Sequence, residues 1–210
     1  MTADIVYVHP VNPQGRLLKQ VAESVRRGGI VVYPTDSAYA LGCHLGDKAA
    51  VDRIRQIRQL DKHHNFTLMC RDLSELGVYA KVDKQMFRLL KTHTPGPYTF
   101  VLQATSEVPR RLMHPKRKTI GLRVPDNRIV QDLLAELGEP LMSVTLIAPG
   151  DEHPLADPED IKNWLSELVE VVIDGGYCSP EPTTVIDLSG ATPVLLRAGL
   201  GDREPFGLID

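Results

Sequence analysis

The stretch Tyr33-Pro34-Thr35-Asp36-Ser37-Ala38-Tyr39-Ala40-Leu41-Gly42 sets hydroxyls and a carboxylate directly after a β-branched run. Open α/β sheets place their ligands at strand ends, so these groups are candidates for holding a polar substrate. Pro, Thr, Asp and Ser are also ordinary turn and cap residues, and composition leaves both readings open. Farther on, Arg58, Asp61, Lys62, His63 and His64 close a helical apolar pattern. Cations there either complement the helix dipole or bind an anion. Adjacent imidazoles seldom aim at one ion and no third ligand accompanies them, so no metal site is expected.

Arg123 interrupts the otherwise apolar run Ile120-Gly121-Leu122-Arg123-Val124. Such a charge either faces solvent from an edge strand or holds a carboxylate or phosphate in its fork. Ser143 and Thr145 lie in an apolar segment, where hydroxyls are satisfied in the core or face a ligand. Thr183 and Thr184 stand at a strand start, and Arg197 lies beside Gly199. Between residues 110 and 128 the basic Arg110, Arg111, Lys116, Arg117, Lys118, Arg123 and Arg128 meet a single acid, Asp126. That cluster fits phosphate contacts to RNA, or a solvated loop around Pro109 and Pro115. No GxGxxG, GxxxxGK[ST], HExxH or nucleophile elbow is present.

These groups need a scaffold, and hydrophobic periodicity supplies one. Asn12-Pro13 reads as the start of a helix carrying Leu17, Leu18, Val21 and Val25, stopped by Gly28-Gly29. Residues 30–33 read as a buried strand closed by Pro34. Asp47 caps a helix with Val51, Ile54 and Ile57. Residues 66–69 read as a strand, and Met86, Leu89 and Leu90 mark another helix. Residues 98–102 and 119–124 are strand-like, Asp126 is expected to cap a helix with Ile129, Val130, Leu133, Leu134 and Leu137, and 140–147 is an apolar segment. Asp157-Pro158 opens a helix before strand candidates at 170–174, 183–188 and 193–197. Consecutive strands near the end predict an α/β fold with a mixed sheet and flanking helices.

The chain has 210 residues, 42% of them hydrophobic, enough for one substantial core, and neither proline-rich stretch reads as a linker. A single domain is expected. The formal charge of -3 gives no bulk attraction to nucleic acid, so any polyanion site must be local. Cysteines Cys43, Cys70 and Cys178 form no CxxC pair, and structural zinc and disulfides are not expected. No leader-like segment and no apolar stretch of about 18 residues occurs, which predicts a cytoplasmic protein without a membrane partner.

The order of the blocks is more specific than any one of them. Residues 29–42, Thr94-Pro95-Gly96-Pro97-Tyr98-Thr99, Leu122 to Asp126, Pro140 to Ser143, Thr183 to Asp187 and Leu196 to Gly199 together resemble the YrdC family of threonylcarbamoyl-adenylate synthases, across about residues 13–200. Residues 201–210 would form a short tail. The resemblance implies a twisted open sheet with a concave basic face, and chemistry joining L-threonine, bicarbonate and ATP for modification of tRNA adenosine 37. Magnesium would arrive with the ATP. It implies Thr35, Tyr39, Arg123 and Thr183 near the amino acid, and Arg58, Ser143, Thr145 and Arg197 near the nucleotide, ATP or AMP. Arg58, Thr35 and Arg123 would be the catalytic group. Two departures look like the YciO branch: the family's KxR pair falls on Arg58 and Leu60, and an asparagine of its SxN segment falls on Ile147. Lys62 or His64 would then stand in for the missing cation. The same resemblance leaves open a non-catalytic relative that binds tRNA or double-stranded RNA through Arg110, Arg111, Lys116, Arg117 and Lys118.

Overall fold

A computed structural model describes residues 2–61 and 64–208. In chain order the elements are β1 (Asp4–Tyr7), α1 (Gly15–Arg26), β2 (Val31–Tyr33), β3 (Ala40–His44), α2 (Lys48–Arg58), β4 (Thr67–Met69), α3 (Leu73–Tyr79) and α4 (Lys84–His93). They continue with β5 (Tyr98–Gln103), β6 (Thr119–Arg123), α5 (Arg128–Leu137), β7 (Leu141–Thr145), α6 (Pro158–Leu165), β8 (Val171–Asp174), β9 (Thr184–Asp187) and β10 (Val194–Arg197). Among the described residues all strands join one mixed sheet in the order β1-β8-β2-β3-β7-β4-β6-β5-β9-β10.

Side chains alternate across a strand, so register alone divides the sheet into two chemically different faces. Met142, Leu68, Leu122, Phe100 and Ile186 sit in adjoining register positions and are buried in the larger core, under Ile54 of α2, Leu76 of α3 and Leu90 of α4. The other face is covered only at one end. There α1 and α5 bury Leu18, Val21, Leu133 and Leu134 against Val31, Tyr33, Ala40, Leu141 and Val171. Beyond them the same face carries Ser143 opposite Thr67, Thr67 opposite Gly121, Gly121 opposite Val101, and Thr99 opposite Val185. Small and hydroxylated residues here leave a concave surface without helical cover.

Several elements differ from the periodic reading. Helix α1 begins at Gly15, not at Pro13, because Asn12 and Val11 donate their backbone N–H groups to His9 Nδ1 in a preceding turn. Helix α5 is capped by Asn127, not by Asp126: its side-chain oxygen accepts from Ile129 N and Val130 N. Strands β1 and β3 and helix α3 carry no clear sequence signature of their own. In β3, Gly42 is required by close approach, since a Cβ there would meet Tyr33 Cε1 at 2.7 Å. Loss of a side-chain N-cap costs about 1 kcal/mol. Asn127→Ala is therefore expected to lower unfolding free energy by about that much in urea titration, while Asp126→Ala at the exposed neighbour changes it by less than about 0.5 kcal/mol.

Candidate functional site

Strand β6 lies between β4 and β5, so Arg123 is an interior residue and the solvent-facing edge reading does not hold. It is only 6% exposed. Its Nη2 donates to Thr35 Oγ1 at 3.2 Å, to Ser37 Oγ at 3.0 Å and to the Asp36 carboxylate. Thr35 is held for this role. Its hydroxyl donates to Ala38 O at 2.6 Å while accepting from Ser37 N at 3.1 Å. Register places Tyr33 and Arg123 at opposite ends of the sheet, because Tyr33 follows Ala40 to Thr145 whereas Arg123 follows Met69 to Leu141. The 34–38 turn nevertheless brings Thr35, Asp36 and Ser37 to the guanidinium. Among the described residues neither Arg123 Nε nor Asp36 Oδ2 has a protein partner, although both are buried.

Beside this pair, Arg197 donates from Nε and Nη2 to Thr183 O at 3.1 and 3.0 Å, and from Nη2 to Thr183 Oγ1 at 3.1 Å. The Thr183 and Thr99 hydroxyls share a hydrogen bond of 2.9 Å. Burial, and then the nearby charge of Arg123, lower the pKa of Arg197. Two guanidinium groups this close favour an anion between or beside them.

At the other end of the open face, Arg58 donates from Nε to Thr145 O at 3.0 Å and from Nη1 to Ile147 O. It pins the exit of β7 while remaining at the hollow's wall, and burial lowers its pKa. Tyr33 OH donates to Ser143 Oγ at 2.6 Å through the space left by Gly42, and burial keeps that phenol protonated. Arg58, His64, Thr67, Thr99, Ser143 and Arg197 line a hollow of about 270 Å³ whose floor includes Gly121 and Val101. A Cβ on Gly121 would meet Thr67 Oγ1 at 2.9 Å, so the floor depends on that glycine. No carboxylate joins the hollow's described lining.

The structure thus brings Thr35 to Arg123 and Thr183 to Arg197, and Arg197 in turn lines the hollow with Arg58, His64, Ser143 and Thr145, while Thr35, Arg123 and Thr183 stand outside its described lining. Tyr39 is separate. Its hydroxyl donates to Gly176 O at 2.7 Å and accepts from Gly175 N at 3.3 Å, tying down the 175–176 turn. Lys62 and His63 lie outside the described residues. In the basic loop, Arg117 pairs with Asp187 at 3.0 Å and Arg111 donates to the carbonyls of Leu45 and Gly46. Arg110, Lys116 and Lys118 are exposed. Thr67 and Thr99 join the candidate site although local sequence gave them no role, because their proximity arises from register, whereas Asp36 and Ser37 stood in the candidate 33–42 stretch without an assigned partner. A larger groove of about 580 Å³ lies between α4, the 188–193 turn and Phe206. It mixes Asp83 and Arg88 with Met86, Leu89 and Pro193 and has no converging buried hydroxyls, so the smaller hollow is the better candidate.

A family model described as Telomere recombination, spanning Sua5, YciO and YrdC, matches residues 23–199. The YciO protein of Escherichia coli K12 is 59% identical over 200 residues, 95% of this chain and 97% of that one. A threonylcarbamoyl-AMP synthase of Vibrio vulnificus YJ016 is 30% identical over 187 residues, 87% of this chain and 98% of the enzyme. The crystal structure of E. coli YciO superposes with a TM-score of 0.94 at 58% identity, covering 97% and 99% of the two chains. P. abyssi Sua5 complexed with L-threonine superposes with a TM-score of 0.84 at 26% identity, covering 94% of this chain and 58% of Sua5. Matched along most of its length and over the whole sheet that carries the hollow, the chain belongs to the Sua5/YciO/YrdC family.

Proposed function

We propose that this protein binds L-threonine at Arg123, beside the Arg197 side of the hollow, and ATP toward Arg58, and forms L-threonylcarbamoyl-adenylate with bicarbonate as the third substrate. The observation that carries this reading is the ion pair of Arg123 and Asp36, with one donor, Nε, and one acceptor, Oδ2, left over in a buried place. An α-amino acid supplies the matching set: a carboxylate for Nε and an amine N–H for Oδ2. The amine still carries an N–H after it becomes a carbamate. Relatives named threonylcarbamoyl-AMP synthase, and a Sua5 complexed with L-threonine, support the same assignment.

In the reaction, threonine's amine attacks bicarbonate and water leaves, giving a carbamate. A carbamate oxygen then attacks the α-phosphorus of ATP, and pyrophosphate departs with the magnesium that came with the nucleotide. Bicarbonate, the carbamate and ATP are all anions. The work of Arg58, Arg123 and Arg197 is to hold them at reacting distance and offset developing charge, contributions worth several kcal/mol.

Pyrophosphate release from ATP is expected to require both threonine and bicarbonate; release indifferent to either would remove the reading. Arg58→Ala is expected to lower turnover at least tenfold, the loss of one charge-assisted contact. Asp36→Asn keeps the shape but removes the charge facing the amine, and is expected to raise the threonine KM about ten- to hundredfold. An unchanged KM in a folded variant would exclude Asp36 from the amino-acid site.

The exposed Arg110, Lys116 and Lys118 favour a second reading, in which the protein binds tRNA or double-stranded RNA without catalysis. RNA affinity should then fall steeply with salt, and the double variant Lys116→Ala, Lys118→Ala should flatten the log-log slope by about 2. Salt-insensitive or undetectable binding would count against it.

A further inference from the structure

His64 is an exposed residue that lines the hollow together with Arg58 and Arg197. Its backbone N–H donates to Asp61 O at 3.3 Å, and its ring meets the buried Phe66 edge-on with centroids 5.9 Å apart. Among the described residues, the charged groups acting on the ring are Arg55 and Arg58 from α2, Asp61 from the connecting turn and Arg197 from β10. Partial burial and then Arg58, helped by Arg55 and Arg197, lower the imidazole's pKa against the opposing pull of Asp61. Because the residue keeps an exposed side, solvent weakens the burial contribution, and the flanking arginines are the sturdier cause. In the free protein these surroundings disfavour the imidazolium.

A phosphoryl group entering this cationic hollow reverses the local balance, since its negative charge offsets the arginines and favours the imidazolium. We propose that His64 is an anion-binding residue of the hollow that takes up a proton as a phosphoryl group binds. The proposal rests on the nucleotide reading of this end of the hollow. The sign follows from linkage: the complex holds more protons than the free protein, so affinity rises as pH falls from the imidazole's pKa in the complex toward its lower value in the free protein.

Calorimetry with AMP in buffers of different ionisation enthalpy tests this directly, comparing wild type with His64→Gln and His64→Asn. AMP's own phosphate titrates near pH 6 and contributes alike to all three proteins, so the difference between them isolates His64. At about pH 7.5 the wild type is expected to take up a larger fraction of a proton than either variant. Its affinity advantage should grow about three- to tenfold between about pH 8 and about pH 6, and shrink in high salt. Equal proton balance with a pH-independent affinity ratio would overturn the role of His64 while leaving nucleotide binding intact. Failure of the wild type to bind AMP at all would overturn both.

Discussion

A guanidinium in an interior strand cannot simply be buried: withdrawing it from water costs several kcal/mol unless carboxylate and hydroxyl partners are brought to it. Arg123 meets that requirement with Thr35, Asp36 and Ser37, residues that leave β2 at the opposite end of the sheet. The constraint shapes everything near it. The 34–38 turn must carry all three residues to the guanidinium, and Thr35 must fix its own turn through Ala38. An apolar residue at position 123 would remove that need.

The open face depends on a division of labour between the two surfaces of the sheet. Phe100, Leu122, Leu68 and Met142 put nearly all their apolar area on the helix-covered side, where each fully buried side chain contributes about 1.5 to 3 kcal/mol. With stability concentrated there, the opposite positions are free to be Thr99, Gly121, Thr67 and Ser143. Helices α1 and α5 close the β1-β8-β2-β3 end and reach Leu141 of β7 and Met69 of β4, and the uncovered remainder carries the hollow. Two cations line it, Arg58 from the end of α2 and Arg197 from β10, and Arg123 of β6 lies close behind Arg197. Each is anchored by backbone carbonyls or hydroxyls, so the positive charge is held in place before a ligand arrives.

Much of this was legible in the residues. Helix-period and strand-period runs located α2, α4, α5, α6 and most strands, because their buried faces are patterned locally. The mixed sheet followed from consecutive strands near the end of the chain. The cap at Asn127 was not distinguishable from Asp126, since both are good caps and the choice depends on where Pro125 releases the chain. Strand β3 was hidden because its first residues continue a hydroxyl-rich turn and its centre is a glycine that makes room for Tyr33. Thr35, Arg123, Thr183 and Arg197 were identifiable as polar residues at strand ends. That Asp36 pairs with Arg123 was not, since that contact exists only in the folded sheet. Tyr39 shows the converse: a hydroxyl in the right motif is consumed by the 175–176 turn.

The unmatched donor and acceptor of the Arg123–Asp36 pair are proposed to receive an α-amino acid. A crystal structure of the protein soaked with L-threonine addresses this most directly. The account predicts the carboxylate within about 3 Å of Arg123 Nε and the amine within the same distance of Asp36 Oδ2, with Thr183 and Thr99 beside the bound molecule. Threonine ordered elsewhere, or an Arg123 that swings away to make the contact and abandons Asp36, would contradict it.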